Sequence, residues 1–106
     1  MITVVDVLIR ADGYTHEEFV DRWRGEHVAI AAQLPGLKRY STSVPTEPDE
    51  AEYDGVLNLS FESVEAMNEA FASAVGTDVM DDAAEFIDVG AGPRMVVEET
   101  IHVTDE

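Results

Sequence analysis

Residues 2–10 (ITVVDVLIR) are apolar or β-branched at nearly every position. That is the pattern of a strand covered on both faces. Asp12-Gly13 marks a turn, and Thr15-His16-Glu17-Glu18 has the form of a capping box, with Thr15 capping and Glu18 reaching back. A helix is therefore predicted from near His16 to just before Pro35-Gly36. Turned at about 100° per residue from Phe19, Ile30, Trp23 and Leu34 fall within about 60°, His27 at about 80° and Val20 at about 100°. An imidazole thus sits inside the apolar arc.

Residues 37–44 (LKRYSTSV) read as a second strand, and residues 45–52 (PTEPDEAE) as an acidic loop whose prolines break regular structure. Residues 53–61 (YDGVLNLSF) alternate, placing Tyr53, Gly55, Leu57, Leu59 and Phe61 on one side of a third strand. Ser63 then looks like the cap of a helix striped by Val64, Met67, Phe71, Ala74 and Val75, with Gly76 closing it. Thr77 is predicted to cap a second, short helix with Met80, Ala83, Ala84 and Ile87 on one face. After Gly90-Ala91-Gly92-Pro93, residues 94–103 (RMVVEETIHV) return to strand chemistry.

The order is β-α-β-β-α-α-β. With right-handed crossovers and a central hairpin, it predicts an α+β fold, a ferredoxin-like four-stranded antiparallel sheet with helices on one face. There are no repeats or heptad runs, so residues 1–106 read as a single domain. A first strand apolar on both sides leaves one sheet face to be covered. A second copy is the economical cover, giving a homodimer with sheets packed face to face.

Composition narrows the functional classes. Six basic residues against 23 acidic ones give a net charge of −17, the wrong sign for binding nucleic acid or an anionic membrane. No apolar run approaches the ~20 residues that span a bilayer, and no basic-then-apolar leader is evident. The expected location is the cytoplasm. The absence of cysteine removes disulfides, thiolate metal sites and cysteine nucleophiles. Such an acid excess would suggest disorder, but 45% hydrophobic residues in periodic order say that the chain folds. An acidic, almost lysine-free surface is expected of a halophilic protein, because molar salt screens self-repulsion over ~3 Å.

Most catalytic motifs are missing: there is no Lys-Ser/Thr phosphate loop, no nucleophile elbow and no H-E-x-x-H. Gly90-Ala91-Gly92 precedes a strand, the reverse of a dinucleotide-binding context, and Asn58-Leu59-Ser60 lies mid-strand, an unsuitable place for glycosylation. His16 and His27 are ~16 Å apart along one helix, too far to share an ion, so no metal is expected. Glu98 and Glu99 interrupt an apolar strand on opposite faces, where one could be partly buried. His27 has two readings. It is a core histidine satisfied by a backbone carbonyl or a hydroxyl such as Tyr40 or Ser41, or it is an acid, base or anchor facing a cavity. Trp23 reads first as packed core and second as a ligand wall.

Trp23-Arg24-Gly25-Glu26-His27, followed by Leu34-Pro35-Gly36-Leu37-Lys38-Arg39-Tyr40, resembles the EthD family of the dimeric α+β barrel superfamily. Tyr53-Asp54-Gly55-Val56, Phe61-Glu62-Ser63 with Glu65-Ala66, Ala70-Phe71-Ala72-Ser73 and Phe86-Ile87-Asp88 follow in the family's order. One position departs: Ala29 stands where the family commonly has proline, which implies a smoother helix after His27. The resemblance implies a ferredoxin-like subunit, a homodimer and a link with oxidative breakdown of small organic molecules such as ethers. Superfamily relatives range over cofactor-independent monooxygenases, isomerases, dehydratases and heme-handling proteins, so the fold does not choose the reaction. The implied site is a pocket for a small apolar organic ligand between sheet and first helix. There His27 acts as proton shuttle or anchor, Trp23, Tyr40 and Phe86 form the walls, and no cofactor or metal is needed. The alternatives are a non-catalytic binding or accessory protein for a separate oxygenase, and a purely structural dimer.

The charge yields a direct prediction. Chemical unfolding followed in graded KCl should show stability rising steadily toward molar salt, and a flat or falling series would remove the halophilic reading.

Overall fold

The doubly apolar segment forms β1 (Ile2–Leu8) and takes an interior position in the sheet, where both backbone edges are paired. The computed structural model describes residues 1–105. It orders the strands β2-β3-β1-β4, with β2 at Arg39–Ser43, β3 at Gly55–Phe61 and β4 at Arg94–Glu98. All neighbours are antiparallel, with Ile2 facing Phe61 and Glu98, and Asp6 facing Leu57 and Arg94. This is the ferredoxin-like arrangement.

Because side chains alternate along a strand, that register sends Val4, Leu8, Leu57, Leu59 and Phe61 to one face, and all five are buried in the core. Phe19, Trp23, Leu34, Met67, Val79, Ala83 and Phe86 meet them from the helices. The opposite face carries Val5, Val7, Val56 and Asn58, only half-buried, around a hydroxyl pair in which Thr3 Oγ1 and Ser60 Oγ lie 2.8 Å apart.

Two helical segments differ from the sequence expectation. The first helix begins as predicted, with α1 (His16–Arg22) carrying a complete capping box between Thr15 and Glu18. It then widens into a π turn at Trp23–His27 before resuming as α2 (Val28–Ala31). The irregularity lies before His27, not after it. The second difference is the break between α3 (Val64–Ala72) and α4 (Ala74–Phe86), which falls at Ser73 and not at Gly76-Thr77. Ser73 is extended, and its hydroxyl accepts from the Gly76 N–H at 3.1 Å, so it caps α4. Gly76 is in the first turn of α4, where a β-carbon would collide with the Phe71 carbonyl oxygen. Its role is close approach of two helices, not termination.

The earlier start makes α4 a full 13-residue helix. Its inner face is Gly76, Val79, Ala83 and Phe86, while Ala84 is exposed and Met80 is about half exposed at the edge of that face. The last strand stops at Glu98, short of the predicted extension to residue 103. Within the acidic loop Pro48–Glu50 makes a single 3₁₀ turn.

Candidate functional site

Sheet and helices do not close completely on one another. They leave a cavity of about 420 Å³ lined mainly by aliphatic side chains, among them Val4, Leu8, Leu57, Leu59 and Ala83. Its polar groups come from Asp6, His27, Tyr40, Asp88 and Arg94. Met80 and Val89, both about half exposed, belong to the same lining and place apolar side chains at its solvent side. An apolar space with a few polar groups is the usual form of a small-molecule site.

His27 is 3% exposed, and its partner is neither Tyr40, Ser41 nor a carbonyl. Its Nδ1 lies 2.7 Å from Oδ2 of Asp82 on α4. The same carboxylate is gripped by both terminal nitrogens of Arg22, with Nη1 donating at 3.0 Å. Arg22 first, then His27, hold the Asp82 carboxyl down to about 2 against the opposing effect of burial. Asp82 is therefore ionised at neutral pH and can only accept. Nδ1 of His27 must donate to it, which leaves the Nε2 lone pair as the free basic position of the ring. No protein group bonds Nε2 among the described residues.

The π turn explains how this cluster forms. In a regular helix residues 22 and 27 would diverge by about 140°, and a single carboxylate would have to bridge two faces of the helix. The wider turn stacks residue i+5 nearly over residue i and brings Arg22 and His27 to the same side. Phe86 fixes the group from below: the His27 ring meets it edge-on at 5.1 Å and the Arg22 guanidinium lies 5.0 Å over it.

Trp23 and Phe86 are wholly buried and are not among the residues lining the cavity. They join Phe19 in an aromatic row behind His27, with ring centroids 5.5 and 5.7 Å from Phe19. Tyr40 does line the cavity. Burial raises its phenol above the ordinary value, while the neighbouring Trp23 indole acts in the opposite direction. The indole Nε1 nevertheless completes no hydrogen bond. Gly55 completes this corner, because a β-carbon there would lie 2.5 Å from Trp23 Cζ3. Any side chain at 55 would displace the indole.

Of the two strand carboxylates one is partly buried, as expected, and it is Glu99. Glu98 is exposed, and Glu99 lies beyond the strand against Arg39 at 3.3 Å. Asp54, in contrast, is buried and accepts from the Arg10 backbone, the Arg10 guanidinium and His16. Burial would raise its carboxyl, but these bonds outweigh burial and hold it below the ordinary value. Sequence reasoning missed Asp82 and Asp6 as site residues, for different reasons. Asp82 stands in an acidic run, Asp78 to Glu85, where nothing in the chain distinguishes it from solvated neighbours. Asp6 carried a signal, being the one charge inside an otherwise apolar strand. Among the described residues no cluster of three His, Asp or Glu side chains is placed to hold a metal ion, and no helix is long and apolar enough to cross a membrane.

A ferredoxin-like α+β domain enclosing an apolar cavity with one oriented histidine is the class that this fold and site define. The EthD domain model matches residues 11–90, and the chain belongs to the EthD family. Among solved structures it is similar to an EthD family protein from Bacillus halodurans C-125, with a TM-score of 0.77 at 18% identity over 94% of this chain and 100% of that one. SnoaB, a cofactor-independent oxygenase from Streptomyces nogalater, superposes with a TM-score of 0.70 at 14% identity over 98% and 97% of the two chains. A dimeric protein of unknown function from Bacteroides fragilis NCTC 9343 gives 0.64 at 14% identity, covering 91% of each chain. No curated protein matches the sequence significantly.

The Asp82 cluster predicts a pH signature. Its folded carboxyl titrates at about 2, below the ordinary 3.8, so its contribution is fully present above ~4 and is lost as pH falls from there toward ~2. Asp82→Asn should lower stability at pH 6 by ~2 kcal/mol, and the gap to wild type should close between pH 4 and 2. A gap independent of pH in urea unfolding would contradict the assignment.

Proposed function

We propose that the cavity binds a small, largely apolar organic molecule and that His27 moves a proton to or from it at Nε2. The supporting observation is the contact of Nδ1 with the ionised Asp82: the carboxylate takes the Nδ1 proton, and the basic nitrogen is left for the cavity that His27 lines. When Nε2 takes a proton from bound substrate, the imidazolium that forms is stabilised by Asp82, which Arg22 keeps ionised. Trp23 and Phe86 hold this assembly from behind, and Tyr40 shapes the cavity wall.

The reaction classes that one histidine base serves without a bound cofactor are isomerisation, dehydration and oxygenation of a substrate whose carbanion reacts directly with dioxygen. The likeness to SnoaB, described as a cofactor-independent oxygenase, favours an oxidative role, which we take to be the breakdown of small organic compounds. A second reading is a binding or accessory protein for a separate oxygenase, favoured by the predominance of aliphatic side chains in the lining. We also read the half-buried valines of the open sheet face as the seat of a second copy, in line with the dimeric relative. The acidic composition fits a saline cytoplasm.

Two measurements test these readings. Sedimentation equilibrium in concentrated KCl should give twice the chain mass of 11.6 kDa, and a monomer at micromolar concentration would remove the dimer. For the chemistry, small ketones, phenols and ethers are screened by thermal shift, and any that bind are assayed for turnover. His27→Ala should keep binding within a few-fold and lose turnover by roughly 10²- to 10⁴-fold. Retained turnover would exclude His27 as the proton carrier, and binding without wild-type turnover would favour the accessory reading.

A further inference from the structure

Asp6 is the least explained charge in the molecule. It lies on the inner face of β1 between Val4 and Leu8, across from Leu57 on β3 and Arg94 on β4. Half-buried, it lines the cavity and makes no hydrogen bond or ion pair with any described residue. Its cross-strand neighbour Arg94 is exposed and favours the carboxylate at a distance without touching it. Desolvation acts more strongly in the opposite direction, raising the carboxyl above its ordinary value.

Aspartate is poorly suited to the middle of a strand, and an aliphatic residue here would extend the surface made by Val4, Leu8 and Leu57. A polar group held at such a cost, with its acceptor oxygens open to a cavity, is suited to receive a donor from whatever the cavity holds. The other groups on the same cavity do not supply that donor: His27 faces Asp82, Asp88 is another acceptor, and neither Tyr40 nor Arg94 bonds Asp6.

We propose that Asp6 is the polar anchor of the cavity, its carboxylate accepting a hydrogen bond from a hydroxyl on the ligand. The ligand is then an apolar body bearing a phenol, enol or alcohol O–H, not a hydrocarbon or a simple ether. This rests on the reading of the cavity as a ligand site and adds which chemistry the ligand carries. His27 Nε2 is also an acceptor, so assignment to Asp6 requires the variant as well as the ligand series.

The test compares 2-naphthol with 2-methoxynaphthalene, equal in aromatic body but different in the donor, by titration calorimetry at neutral pH in concentrated KCl. Wild type should prefer 2-naphthol by about tenfold or more, the usual worth of a hydrogen bond to a charged acceptor. In Asp6→Leu the two affinities should fall within about twofold of each other. Should that variant not fold, Asp6→Asn should cut the preference to a few-fold. Equal binding by wild type, or an undiminished preference in the variants, overturns the anchor while leaving the cavity reading in place. Binding of neither compound overturns both.

Discussion

The carboxylate of Asp82 joins what would otherwise be separate parts of the molecule. A nearly buried charge of this kind is costly unless several donors meet it. Here Arg22 grips it from one turn of the first helix and His27 from the next, while Asp82 itself belongs to α4 on the other side of the chain's midpoint. The pairing ties the two helical halves together, makes the π turn worth its poorer hydrogen bonding, and sets the orientation of the one imidazole that lines the cavity. Tautomer, helix irregularity and helix contact are thus one requirement seen from three sides.

Hydrophobic patterning along the chain was enough to place all four strands, the capping box and the ferredoxin-like order, because each depends on local alternation or a short cap. The misplaced features depend on contacts between distant residues. A wheel turned at a uniform angle puts Arg22 and His27 on different faces, and only the π turn reconciles them. Gly76 has the composition of a helix stop, yet its purpose is to let α4 pass against the end of α3, which needs both helices in place. Of the four side chains expected at the site, His27 and Tyr40 line the cavity, whereas Trp23 and Phe86 stand one layer behind it. Periodicity reports that a residue faces inward but not how deep it sits.

The family motifs acquire physical content in the same way. In isolation Tyr53-Asp54-Gly55 reads only as the start of an alternating strand. In the fold, Asp54 collects Arg10 from the end of β1 and His16 from the start of α1, so it anchors the crossover that delivers the first helix. Gly55 then leaves the space that the Trp23 indole fills. The tryptophan motif and the glycine motif, some thirty residues apart, are two sides of one contact.

That contact makes the molecule optically simple. The chain has a single tryptophan, sealed from water and in contact with the aromatic row behind His27. All indole fluorescence therefore arises from one point at the back of the candidate site, beside the Tyr40 ring that borders the cavity. Any rearrangement of the first helix, whether by a ligand, a salt-dependent loosening or a change in the charge of Asp82, is registered by the one emitter without a label being added.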